Sequence, residues 1–194
     1  MSDSKLDKNW NLIKSPADGD CFYHSVVNGI KLLDSNSNIS IKELKVKVSE
    51  YIKKDYQNKK DKTNTLYNDI LIEWRDFGVI KKDQDVTLDK MVYILTNTNE
   101  WAVSTIIHIV SLILQIQIIV HEKINSKVYS ESFPSFYKED SKDAIKLYTL
   151  HVLKRGNHYD LLYLKEKCDT KTSVNANLIS LSFVSSILFV YFIL

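Results

Sequence analysis

At 194 residues and 44% hydrophobic, the chain suits a single domain with a sizeable core. Its net charge of +2, with no basic stripe interleaved with aromatics, excludes an electrostatic case for nucleic acid. Two cysteines are too few for a disulfide framework and favour a reducing compartment, and residues 1–10 lack the apolar core of a secretory signal peptide.

In chain order, residues 1–9 read as a polar tail and 10–165 as one domain. Residues 21–33 read as a helix, with Phe22, Val26, Ile30 and Leu33 on one apolar stripe. Ser40-Ile41-Lys42-Glu43 is a capping-box signature for a second helix that turns Leu44, Val48, Tyr51 and Ile52 inward. A third helix covers 65–77 and stops near Gly78; a fourth, capped by Asp85 or Thr87, runs through Leu95. Residues 101–114 are apolar nearly all round and read as a central buried helix, with Trp101 in the core. The pairs Lys53-Lys54, Lys59-Lys60 and Lys81-Lys82 read as solvated faces.

The period then changes. Runs 115–120, 127–131, 146–153 and 158–164 are short and rich in β-branched and aromatic residues, as strands are. Arg155-Gly156-Asn157 joins the last two as a hairpin turn. Helices first and strands later imply an α+β, layered domain with a small, mostly antiparallel sheet. After a linker at 166–177, residues 178–194 hold only Leu, Ile, Phe, Val, Tyr and Ser. As a helix they span roughly 25 Å against a hydrocarbon core of about 30 Å. Lys165, Lys167 and Lys171 precede them. The reading is a C-terminal hydrophobic helix acting as a tail anchor, with the domain in the cytosol; the bland alternative is an element docked on the domain.

Two segments carry candidate chemistry: Asp18-Gly19-Asp20-Cys21-Phe22-Tyr23-His24-Ser25 and Gly156-Asn157-His158-Tyr159-Asp160. A thiol nucleophile needs an imidazole base, and the imidazole needs an acceptor on its other nitrogen. Cys21 opens a helix after a turn, where the helix dipole favours thiolate and successive backbone N–H groups can line an oxyanion hole. The bland reading of Cys21 is an inert buried thiol, since free cysteine is commonly buried. His158 and Asp160 stand at i and i+2 of one strand and share a face. His24 lies on the cysteine's own helix and reads as a partner at the site's edge, and His108 as a satisfied core histidine. His121 and His151 fall at strand ends with no acceptor two positions on. Asp18 suits a turn or cap equally well. With no CxxC, no HExxH and no Gly-rich phosphate loop, neither a metal nor a nucleotide cofactor is expected.

Asp18 to Ser25 resembles the cysteine box of the ovarian tumour (OTU) family of deubiquitinating cysteine proteases, and Gly156-Asn157-His158-Tyr159-Asp160-Leu161-Leu162-Tyr163 resembles its histidine box. Glu100-Trp101-Ala102 with the apolar run after it resembles the family's third block, although Val103 and Ser104 replace small residues often seen there. The resemblance implies an OTU-type fold and a ubiquitinyl hydrolase needing no cofactor, with Cys21 as nucleophile and His158 as base. It further implies Asp160 as orienting acceptor, Asp18 as an active-site residue, and Gly19 and Asp20 in the oxyanion loop. Ubiquitin or its chains, host-derived if the source is a bacterium or virus, are the implied partner of a monomer. The alternatives are a ubiquitin-binding module of weak or no catalysis, a protease for a ubiquitin-like modifier, and an adaptor using only its tail.

Overall fold

The computed structural model describes residues 10–124, 127–134 and 148–164. The polar tail at 1–9, the linker, Cys168 and the hydrophobic segment 178–194 lie outside the described residues. Among the described residues no helix is long and apolar enough to cross a membrane. Along the chain come β1 (Trp10–Ile13), α1 (Cys21–Leu33), α2 (Ile41–Asn58), α3 (Leu66–Asp76), α4 (Leu88–Asn97) and α5 (Ser104–Leu114). Then follow β2 (Ile116–Ile124), β3 (Lys127–Phe133), β4 (Tyr148–Arg155) and β5 (His158–Leu164).

Local chemistry explains most helix starts. Ser40 and Glu43 form the reciprocal capping box at α2, and Thr65 and Thr87 accept N–H bonds from Asn68 and Lys90 at α3 and α4. Thr87, rather than Asp85, is therefore the fourth helix's cap. The fifth helix begins at Ser104, three residues later than the pattern predicts. Val103 has no side-chain acceptor, and Glu73 of α3 instead takes the Thr105 N–H at 3.1 Å. Trp101 is thereby left in the preceding loop, 40% exposed, and is not core. Tyr51 and Leu33 also face solvent more than their stripes imply, whereas Lys45 is buried.

The strands form one sheet in the order β1-β5-β4-β2-β3. Three pairings are antiparallel and β2–β4 is parallel, so the sheet is mixed. Strand β1 has no counterpart in the periodicity reading: four residues are too few to show an alternation. It pairs with β5, setting Leu12 opposite Leu162. Ile116, Ile118 and Val120 of β2, Leu150 and Val152 of β4 and Tyr159 and Leu161 of β5 are buried, and α1 and α5 pack against these strands. A long-range pairing results, with the first helix lying on the last hairpin.

The alternate residues of β2 and β4 carry His121 and His151 within the strands, not at their ends. Nε2 of His121 meets Nδ1 of His151 at 2.9 Å, and the Trp10 ring lies 4.7 Å from that of His151. Burial, reinforced by His121, lowers the His151 pKa from 6.5 to about 4. An unfolded chain takes up a proton below 6.5 that the folded chain refuses. Stability is therefore expected to fall as pH drops from 6.5 toward 4, with a slope approaching one proton. Denaturant midpoints measured across that range check this, and His151→Gln should flatten the slope.

Candidate active site

The sheet and α1 converge where the two sequence boxes meet. Cys21 is the first residue of α1, and its sulfur lies against the backbone on both sides of His158. It accepts the Tyr159 N–H at 3.4 Å and donates to the Asn157 carbonyl at 3.8 Å. Gly156, with φ +59°, and Asn157 form the two-residue loop between Arg155 and His158 that brings this backbone to the sulfur. Phe22 packs edge-on against Tyr159 with ring centroids 5.5 Å apart, locking the helix to the strand. Ser25, one turn along α1, donates to the Cys21 carbonyl at 2.9 Å and lies 2.9 Å from the Ser15 hydroxyl.

His158 Nε2 meets Asp160 Oδ1 at 3.0 Å, so Nδ1 is the ring nitrogen turned away from the carboxylate. Asp160 is 2% exposed and well supplied with donors: Ser15 N–H reaches Oδ1 at 2.9 Å and Arg155 reaches Oδ2 at 3.1 Å. Such a carboxylate is pinned in place, and it fixes the imidazole's tautomer by accepting from Nε2–H.

The expectation that the helix start lowers the Cys21 pKa meets an opposing effect. The thiol is 2% exposed, and burial pushes its pKa above the ordinary 9.0 even though the Tyr159 N–H favours the charged form; the Asp18 charge adds to the rise. Desolvation outweighs this N–H donor because burial strips water from the charged form.

The loop ahead of the cysteine is built by Asp18. Its Oδ1 accepts the Asp20 N–H at 3.0 Å, and its Oδ2 meets His24 Nε2 at 3.1 Å. Burial opposes the Asp18 charge, but these two partners outweigh it and hold the pKa below the ordinary 3.8. Because Asp18 takes the Asp20 N–H, that amide is already engaged within the loop. His24 is indeed a partner at the edge of the site. Gly19 has φ +86°, and a Cβ there would meet the Asn99 carbonyl oxygen at 1.9 Å. Gly19→Ala is expected to cost about 1–3 kcal/mol in stability and roughly 100-fold in turnover, since the loop must shift. Gly78 also has a positive φ but open space around it, so Gly78→Ala should leave turnover unchanged. Thermal unfolding and initial rates on both variants check the contrast.

All six predicted site residues therefore gather in one place. Sequence reasoning missed three supports: Ser15, Arg155 in its role on Asp160, and Lys45, whose ammonium lies 2.5 Å from Asp20 Oδ1. Lys45 and Ser49 border the stripe of Leu44, Val48 and Ile52, and no motif marks a buried lysine there. Among the described residues no group of three or more His, Cys, Asp and Glu is placed to hold a metal ion.

The family model for OTU-like cysteine proteases matches residues 16–159. No curated protein matches. Among solved structures the chain is similar to an OTU deubiquitinase from Wolbachia pipientis wMel bound to ubiquitin, at 15% identity and a TM-score of 0.54, over 81% of this chain and 98% of that one. It is also similar to the Hazara virus OTU bound to ubiquitin, at 21% identity and 0.51, over 81% and 82%. The OTU domain protease from Taggert virus, at 21% identity and 0.51 over 85% and 84%, shares the same fold.

Proposed function

The chain belongs to the OTU-like cysteine proteases, and we propose that it is a deubiquitinase that hydrolyses the bond between the C-terminal glycine of ubiquitin and a lysine amine. The observation that carries this reading is the Cys21 sulfur seated against the backbone either side of His158, whose Nε2 is held by Asp160. Two of the similar folds were solved with ubiquitin bound, which supports the choice of substrate.

Attack is general-base catalysed: Nδ1 of His158 takes the thiol proton as the sulfur forms its bond to the carbonyl carbon. The negative oxygen is stabilised by the N–H groups of Gly19 and Cys21. The C–N bond breaks as His158 gives the proton to the leaving amine, and a thioester remains. Water, deprotonated by His158, then releases the ubiquitin carboxylate, and the proton returns to sulfur.

The test is incubation of the full chain, as its Cys168→Ser variant, with a ubiquitin C-terminal electrophile and, in parallel, with those of ubiquitin-like modifiers. A one-to-one adduct on Cys21 with ubiquitin is expected. Ubiquitin binding without an adduct would favour a binding module, and an adduct with a different modifier alone would move the substrate. A second proposal rests on sequence alone: residues 178–194 place the enzyme on a membrane, so full-length protein should need detergent for extraction and protein lacking 172–194 should not.

A further inference from the structure

We infer that Lys45 is a positioning residue for the reaction proposed above, tying the Asp18 to Asp20 loop to the segment after α4 so that the Gly19 and Cys21 amides stay aimed at the oxyanion. The inference rests on that reading of the site. Lys45 is 5% exposed, and a lysine is seldom buried so deeply without a partner. Its ammonium lies 2.5 Å from Asp20 Oδ1, donates to the Thr98 carbonyl at 2.8 Å, and sits 5.3 Å from the centre of the Tyr23 ring.

Asp20 occupies the N-cap position of α1, where an aspartate ordinarily accepts a helix amide. It makes no such bond, and its carboxylate is turned to Lys45 instead. The next residue after Thr98 is Asn99, whose carbonyl is the surface against which Gly19 fits with no room for a Cβ. One ammonium therefore grips both sides of the Gly19–Asn99 contact: the loop through Asp20, and the opposing wall through Thr98. The Asp20 N–H is fixed separately by Asp18. Between these two ties the loop has little freedom, and the two remaining amides are preorganised rather than drawn into place by substrate.

Lys45→Met removes the tie but also leaves the Asp20 carboxylate buried without a counter-charge, so it loses stability as well as function. The double variant Asp20→Asn/Lys45→Met separates the two effects. It abolishes the uncompensated charge and restores folding, yet no ammonium bridges the loop to Thr98. Turnover of a ubiquitin C-terminal amide fluorophore, affinity for ubiquitin aldehyde, and the rate of Cys21 alkylation by iodoacetamide are measured on full chains carrying Cys168→Ser. The aldehyde adduct places an oxygen on the loop amides, whereas alkylation makes no oxyanion.

In the double variant kcat is expected to stay roughly 30-fold down and aldehyde affinity about tenfold down, with KM within about threefold and alkylation at the parent rate. Recovery of kcat and aldehyde affinity to parent values in the double variant would overturn the inference, showing that Lys45 merely balances a buried charge. A parent chain that is alkylated but neither turns over ubiquitin substrate nor binds the aldehyde overturns the proposed function itself, and this inference falls with it.

Discussion

Replacing Cys21 by serine is expected to reduce ubiquitin turnover roughly 10⁴-fold or more, because the atom that forms the covalent intermediate is gone while the remaining machinery stays. Serine is the better probe here than alanine. The sulfur is buried and accepts the Tyr159 N–H, so Cys21→Ala leaves that amide without a partner at a cost of about 1–3 kcal/mol. A serine hydroxyl can accept from Tyr159 and donate to the Asn157 carbonyl, keeping both contacts. Both variants should be inactive, with alanine melting lower. Cys168→Ala should stay within about twofold of the parent; a Cys21→Ser protein with near-parent turnover would remove Cys21 from the chemistry.

The pattern of helices and strands was readable because it rests on short-range rules. The capping box at Ser40, the periodic stripes of α1 and α2 and the glycine in the β4–β5 turn each act within a few residues, and each stands where the sequence places it apart from Leu33 and Tyr51, which turn out of their stripes toward solvent. The failures share another physics. Strand β1 exists because β5 offers it a pairing edge, a partner about 150 residues away that no local window contains. Trp101 looked like core because its neighbours are apolar, but Glu73 of α3 sets where α5 begins, and Trp101 faces solvent while Ala102 and Val103 beside it are buried. The parallel β2–β4 pairing likewise depends on chain path and not on alternation.

For the site, residue types and order were legible and the balance of forces was not. A cysteine after a turn at a helix start suggests a depressed thiol pKa, since dipole and turn are both local. The opposing effect is desolvation, which arises from the hairpin folding over the sulfur and is visible only in three dimensions. The same holds for Asp20: the sequence places its amide near a developing oxyanion, but the fold commits that amide to Asp18 and the carboxylate to Lys45. Resemblance to a family identifies which groups react; the surrounding packing decides which of them are free to do so.

The histidine assignment carries the second large effect. His158→Ala is expected to lower turnover roughly 10⁴-fold, as the base and the acid of both half-reactions are lost together. Asp160 as an orienting acceptor is expected to matter less, since water or a carbonyl can replace it in part. The geometry divides that expectation. Asp160→Asn keeps an oxygen for Ser15 N–H and His158 Nε2–H but presents an amide donor to Arg155, so turnover should fall only about tenfold while stability drops. Asp160→Ala removes all three acceptor contacts in a buried place and should fall about 10²-fold, between asparagine and the loss of His158. His151→Ala is the control, because its imidazole is engaged with His121 under Trp10 and shares no contact with Cys21. It should stay within about threefold of the parent. The order of loss, His158 above Asp160→Ala above Asp160→Asn above His151, follows from which proton each group holds. A His151→Ala protein that folds but is inactive, beside an active His158→Ala, would reverse the assignment of the catalytic base.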